Sequence, residues 1–172
     1  LLAGGLRLLG AERWTTCHQL SFDLDFTLAE CALANGDFAQ AEASLLSLQV
    51  QAISVPARAA VTSLLVTLYT ASDRSDRAIE TCLLFLQGFG FDWVPNPSPD
   101  LPRAEYARLC ELRGSRSVPS LIDLPLMTDE DSLAIMDVLA AALPPAFFSD
   151  EHLVSLILCR MANISLLHGV SE

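Results

Sequence analysis

The chain of 172 residues contains no lysine, and all ten of its basic residues are arginines. Because they stand against 21 aspartates and glutamates, the net charge is −11 at pH 7. A protein that binds the phosphate backbone of nucleic acid needs a basic stripe on its surface, and this sequence provides none. We therefore predict that neither nucleic acid nor an anionic membrane is a partner.

Long apolar runs and secretion signals are also missing. No apolar stretch reaches the roughly 18 residues of a membrane-spanning helix, so we predict no membrane span. Residues 1–9 lack the charged start and the cleavage pattern of a signal peptide. Since the sequence begins without methionine and stops abruptly after Ser171-Glu172, we expect residues 1–172 to be a single domain from a longer protein.

The sequence lacks the residue patterns of catalytic and metal sites. The three histidines (His18, His152 and His168) are far apart, and the acidic run 129–131 lacks the glycine and distal glutamate of a calcium loop. Gly88-x-Gly90 has no further part of a phosphate-binding fingerprint. We therefore predict no catalytic residue, no cofactor-binding residue, no cofactor and no metal site in this chain.

The cysteines are odd in number and form no Cys-x-x-Cys pair. Each lies in an apolar helical pattern, which is typical of reduced, buried thiols. We therefore predict a cytoplasmic protein with mostly buried free thiols at five positions: Cys17, Cys31, Cys82, Cys110 and Cys159.

Two sets of side chains are candidates for a binding surface, each with a simpler alternative. The aromatic residues could line a groove or pack in the core: Trp14, Phe89, Phe91, Trp93, Phe147 and Phe148. Six arginines could form an acceptor for acidic partners or be scattered surface charge: Arg74, Arg77, Arg103, Arg108, Arg113 and Arg116. The sequence leaves both questions open.

Hydrophobic residues make up 52% of the chain, and leucine and alanine, two strong helix formers, dominate them. Residues 20–28 alternate apolar and polar side chains as a strand would. The segment from Glu12 to Ala34, however, runs without a turn signal to Asn35-Gly36. Its length favours one helix with two apolar stripes.

A helix–turn–helix unit follows, and it repeats once. Asn35-Gly36 can end a helix in a left-handed conformation, and Asp37 can cap the next helix. Ala41 and Ala78 are 37 residues apart, as are Leu28 and Leu65, and Ala32 and Tyr69. A period of this length indicates a helical repeat. The second turn, residues 72–76, contains no glycine.

The second half of the chain is less regular. The proline-rich stretch 88–99 predicts a loop whose large apolar residues pack down. It is followed by a helix from Leu101 to Arg113. Thr128 to Asp131 resembles a capping box that opens another helix. We predict that Pro144-Pro145 ends that helix and that Ser149 caps the last one.

Several strings, in their order along the chain, resemble one protein family. They include Gly36-Asp37-Phe38-x-x-Ala41-Glu42, Leu86-x-x-Phe89-Gly90-Phe91, Leu124-Pro125-Leu126-Met127-Thr128-Asp129 and Leu166-Leu167-His168-Gly169. The set resembles the tetratricopeptide-like helical region of large bacterial multidomain signalling proteins. In those proteins a kinase-like domain and an AAA-type ATPase precede this region, and GAF and histidine-kinase domains follow it.

The resemblance implies an all-α, tetratricopeptide-like right-handed superhelix of antiparallel helix pairs. It also implies a non-catalytic scaffold that mediates protein–protein or interdomain interaction and relays signals between ATPase and sensor-kinase domains. Partners would be other domains of the same polypeptide, or a protein or peptide. The alternative function is a small-molecule or peptide sensor that binds its ligand in the concave groove. We also expect self-association through apolar terminal helices, at the stripe Leu1, Leu2, Leu6 and Leu9 and at Leu166-Leu167.

Overall fold

The computed structural model describes residues 4, 9, 10 and 12–171, and 75% of that part is helical. The α-helices between residues 12 and 171 are α1 Arg13–Thr16, α2 His18–Ala34, α3 Phe38–Gln51, α4 Val55–Ala71, α5 Ser75–Gln87, α6 Asp100–Arg113, α7 Glu130–Phe147 and α8 Glu151–His168. A 3-10 helix, Val118–Asp123, lies between α6 and α7. Within those residues the one β-type pairing is an isolated bridge between Leu126 and Val170. The predicted all-α class is confirmed.

Six of the helices form three antiparallel hairpins. The pairs α2–α3, α4–α5 and α7–α8 pack together, and each is joined by three residues: 35–37, 72–74 and 148–150. Helix α4 packs on α3 and on α7, and α7 also packs on α5. The hairpins are therefore adjacent in chain order, and α6 packs against α8 at the end of the series.

The first two turns have the same backbone hydrogen bonds although only one contains glycine. At the end of α2, the N–H groups of Gly36 and Asp37 donate to the carbonyls of Leu33 and Ala32, at 3.0 and 2.9 Å. This is the Schellman arrangement, and Gly36 has the positive φ of 78° that it requires.

At the end of α4 the same positions are filled by Asp73 and Arg74. Their N–H groups donate to the carbonyls of Thr70 and Tyr69, at 3.2 and 2.7 Å, and Asp73 has a φ of 59°. Aspartate is one of the few residues that enter the left-handed region at modest cost. The missing glycine therefore does not change the turn.

Buried positions repeat at the predicted spacing. In the first hairpin Ala29, Ala32, Ala41 and Leu45 are buried, and 37 residues later Val66, Tyr69, Ala78 and Cys82 are buried. Ala41 and Ala78 are completely buried, one in each second helix of a pair. Small side chains at these positions allow the paired helices to approach closely.

The predicted caps are confirmed at Asp37 and corrected at the last helix. The Asp37 carboxylate accepts from the Gln40 N–H at 3.1 Å. The predicted capping box at Thr128 to Asp131 is displaced by one residue, because the cap of α7 is Asp129, which accepts from the Ser132 N–H. The cap of α8 is Asp150, which accepts from the Leu153 N–H, so the prediction of Ser149 was wrong. The Ser149 hydroxyl instead donates to the carbonyl of Pro145 at 2.8 Å.

Two further expectations about helix ends were also wrong. Pro144 and Pro145 lie inside α7, which continues to Phe147. Proline has a φ compatible with a helix, and near a helix end it removes few hydrogen bonds. The predicted helix from Glu12 to Ala34 is interrupted at Cys17, where φ is −140°. The hydroxyls of Thr15 and Thr16 donate to the Glu12 carbonyl, so the hydrogen bonds of α1 are completed within α1 itself, before the interruption at Cys17.

Four of the five cysteines are not buried as predicted. All five are free thiols, but Cys17, Cys31 and Cys110 are exposed and Cys159 is half-buried. Cys82 is buried in α5, where desolvation raises the pKa of its thiol to about 12. Several helices carry apolar side chains on more than one side, so an apolar neighbourhood in the sequence did not identify the buried face.

Candidate functional site

Helices α6 and α8 are joined by a polar network that the sequence did not suggest. The Arg160 guanidinium forms an ion pair with the Glu105 carboxylate. The Asn163 amide donates to the same carboxylate at 2.8 Å and to the Glu105 backbone carbonyl at 3.1 Å. Asn163 is fully buried and Glu105 is largely buried, so these charge-assisted bonds fix the position of α6 on α8.

The proline-rich loop covers this network with two aromatic rings. The Arg160 guanidinium carbon lies 4.7 Å from the centre of the Phe91 ring and 5.7 Å from that of Trp93. The two rings meet edge to face at 5.3 Å. Cation–π contacts of this kind favour a partly desolvated arginine. The prediction that the loop packs down is confirmed for Phe89, Phe91 and Trp93.

A cavity of about 340 Å³ lies beside this network. It lies between α6, the 3-10 helix with its following connector, α8 and the residue after Gly169, and it is open to solvent on the side of the exposed residues Tyr106, Cys110 and Arg113. Its walls are formed by Tyr106, Leu109, Cys110, Arg113, Leu121, Leu124, Ala162, Ser165, Leu166 and Val170. Most of these side chains are apolar, and Arg113 is the one charged residue among them. We call this space the α6–α8 cavity.

One wall of the α6–α8 cavity depends on a close backbone contact. The Val170 N–H donates to the Pro125 carbonyl at 2.9 Å, and the Met127 N–H donates to the Val170 carbonyl at 2.8 Å. Gly169, with a φ of 102°, leads into this contact, and a Cβ there would lie 2.2 Å from the Pro125 oxygen. Only glycine therefore lets the C-terminal segment reach the connector.

A second cavity, of about 540 Å³, lies along the same pair of helices. Tyr106 lines both cavities. The basic side chains of the second cavity are near acidic partners: Arg103 is 3.6 Å from Asp100, and His152 is 3.8 Å from Asp150. The charge of its lining is therefore already balanced by the chain itself.

The tip of the third hairpin exposes two aromatic side chains. Phe147 and Phe148 are 76% and 84% exposed, and their rings meet edge to face at 6.3 Å. Phe148 borders an open cleft of about 600 Å³ whose other walls include Asp76 and Glu80 of α5. Exposed aromatic residues are enriched at protein interfaces, so we treat this tip, Phe147 with Phe148, as a candidate interaction surface and call it the aromatic tip.

An ion pair between Arg74 and Glu42, which we call the clamp, joins the first two hairpins near their turns. Arg74 donates to both oxygens of Glu42, at 2.7 and 3.2 Å, and its guanidinium lies 4.6 Å from the centre of the Tyr69 ring. The Arg74 hydrogen bond lowers the pKa of the Glu42 carboxyl, although desolvation opposes the shift. The pKa of Tyr69 is raised, first by burial and then by its contact with Glu42.

The residues singled out in the sequence do not form one site. Of the six candidate arginines, Arg74, Arg77 and Arg103 pair with nearby acids, and Arg113 lines the α6–α8 cavity. Of the six aromatic residues, four pack against the core and the two at the aromatic tip are exposed. His18 contacts Trp14 edge to face, and His168 ends α8.

Among the described residues no three His, Cys, Asp or Glu side chains are grouped as a metal site would need. The same part of the chain has no helix that is both long and apolar enough to cross a membrane. In comparisons with protein-family models, with curated proteins and with solved structures, nothing matched this chain.

Proposed function

We propose that this domain is a non-catalytic helical-repeat scaffold that mediates protein–protein or interdomain contacts. The observation that carries the proposal is the series of three hairpins with turns of equal length and adjacent packing. Repeat domains of stacked helix pairs present extended surfaces and contact mainly their sequence neighbours. Such an arrangement can bind a partner along one face and can transmit a change in curvature.

The finer interpretation is a tetratricopeptide-like right-handed superhelix within a bacterial signalling protein. The 37-residue spacing of buried positions and the shared Schellman turns support the repeat. The setting between an ATPase and a sensor kinase rests on the sequence resemblance alone. In this setting the clamp between Glu42 and Arg74 keeps neighbouring hairpins in a fixed relation, as a relay requires.

Site-specific photo-crosslinking tests the scaffold role. A photoreactive phenylalanine analogue replaces Phe148 at the aromatic tip in the polypeptide that carries this domain in its cell. A matched variant carries the analogue at Glu30, which is exposed on α2. We expect a defined crosslink, to a partner protein or to another domain of the same polypeptide, from position 148 and none from position 30.

The same crosslinks from both positions, or none from either, would count against an interaction surface at the aromatic tip. An ATPase assay of the purified domain tests the non-catalytic role. We expect no hydrolysis of ATP. ATPase activity that copurifies with the folded domain and is lost on its denaturation would overturn that part of the proposal.

A further inference from the structure

We propose that the α6–α8 cavity binds an amphipathic carboxylate with an alkyl chain of medium length. The carboxylate would pair with Arg113, and the chain would lie along the apolar wall formed by Leu109, Leu124 and Leu166. This ligand site does not depend on the scaffold role, since it lies between α6 and α8 and away from the aromatic tip.

The volume of the cavity sets the size of the ligand. A cavity of about 150 Å³ holds one benzene molecule, so a volume of 340 Å³ suits about a dozen non-hydrogen atoms. Decanoate is of that size. The lower end of the range for small-molecule pockets is about 300 Å³, so the space also satisfies the general criterion for a ligand site.

Arg113 gives the cavity its preference for an anion. It is the last residue of α6, it is exposed to solvent, and its side chain has no ion pair or hydrogen bond to any residue in the described part of the chain. The Glu105 carboxylate, earlier on the same helix, is already paired with Arg160 and Asn163. A planar guanidinium with free N–H groups matches a carboxylate through two parallel hydrogen bonds.

Two hydroxyl groups strengthen the preference for a polar head. Tyr106 and Ser165 line the cavity, and neither hydroxyl has a hydrogen-bond partner among the described residues. The second cavity is also lined by Tyr106, but both of its basic side chains, Arg103 and His152, lie near the acidic residues Asp100 and Asp150. The charge complementarity therefore favours the α6–α8 cavity.

Isothermal titration calorimetry of the full 172-residue chain with decanoate, below its micelle-forming concentration, tests the proposal. We expect saturable binding that strengthens about three- to fourfold per methylene from hexanoate to decanoate, because each methylene is buried. Decanol and decyltrimethylammonium, which share the chain but lack the anion, should bind at least about tenfold more weakly.

Matched variants locate the site. Arg113→Gln should weaken decanoate binding at least about tenfold. Arg108→Gln, on the same helix and with the same change in net charge, should leave it unchanged because Arg108 does not line the cavity. Leu166→Trp should fill the space and abolish binding while circular dichroism shows an intact helical fold. If that variant does not fold, the comparison of Arg113→Gln with Arg108→Gln still shows whether decanoate binds at Arg113.

Three results would each overturn the proposal. The first is the absence of saturable decanoate binding up to about 1 mM. The second is decanol binding as tightly as decanoate, which would mean that the cavity recognises only the apolar chain. The third is an equal loss of affinity in Arg113→Gln and Arg108→Gln, which would mean that the anion responds to overall charge.

Discussion

Exchanging Gly36 and Asp73 between their turns should change stability in opposite directions. Both residues hold the left-handed position of a Schellman motif, with φ values of 78° and 59°. Both are exposed, and a Cβ at Gly36 would meet no atom within 4 Å. A side chain at either position therefore costs backbone strain alone and causes no clash.

The backbone strain at the left-handed position sets the size of the expected change in the free energy of unfolding. A left-handed L-residue costs roughly 1–2 kcal/mol, less for aspartate, and the greater freedom of glycine in the unfolded chain offsets part of this. We expect Gly36→Asp to lower the free energy of unfolding by about 0.5–1 kcal/mol and Asp73→Gly to raise it by a similar amount. In thermal unfolding, 1 kcal/mol corresponds to about 2–4 °C for a chain of this size.

Urea unfolding followed by circular dichroism measures both changes, and Asp73→Asn is the control. Asparagine tolerates the left-handed region as aspartate does but removes the charge, so its effect should be near zero. If Asp73→Asn stabilises as much as Asp73→Gly, relief of charge repulsion explains the gain and the strain reasoning is refuted. The same conclusion follows if Gly36→Asp leaves the midpoint unchanged.

Four further outcomes follow from the packing. Ala41→Leu should overpack the α2–α3 seam and lower the free energy of unfolding by about 1–3 kcal/mol, whereas an unchanged denaturation midpoint would contradict that register. Glu42→Gln should cost about 0.5–1 kcal/mol at neutral pH by removing the arginine ion pair. Because the folded pKa of Glu42 is lowered from 4.5, the difference from wild type should be full above that pH and vanish as the pH falls through the folded value; titration of both proteins measures it. Gly169→Ala should cost about 3 kcal/mol or more, because its Cβ would lie 2.2 Å from the Pro125 oxygen, and an unaltered unfolding curve would refute that contact. Thiol labelling of the native protein should modify three exposed cysteines quickly and leave Cys82 unmodified until denaturation, so rapid labelling of Cys82 would contradict its burial.

Local signals predicted the helices and their first turn. Asn35-Gly36-Asp37 predicts its own local structure, because glycine favours the left-handed turn and aspartate caps the next helix. Both roles are observed. The 37-residue spacing also matches buried positions for Ala41 with Ala78 and for Ala32 with Tyr69, whereas Leu28 is half-buried where Leu65 is buried. The turn and the cap depend on residues that are neighbours in the sequence, and the spacing is a pattern that the sequence itself displays, so pattern reasoning could find them.

The same reasoning failed where one sequence pattern allows two structures. Helix α2 has two apolar stripes, and the sequence does not say which faces the core. The structure buries Phe22 and Ala29 and leaves Leu20 51% exposed. Cys31 lies on the exposed stripe with Leu20, so its thiol is exposed too. Pro144-Pro145 is likewise compatible with a helix that ends there or with a helix that continues for a few more residues.

The sequence by itself determined the helical class, the hairpin turns and the net charge of −11, because each depends on composition or on residues a few positions apart. Tertiary structure alone decided the α6–α8 cavity. Its walls come from three parts of the chain, namely α6, the connector with its 3-10 helix, and the end of α8 with Val170, and its shape depends on Gly169 passing close to Pro125. Packing also brought Arg74 to Glu42, 32 residues away, and placed Arg113 in the lining of a mostly apolar space.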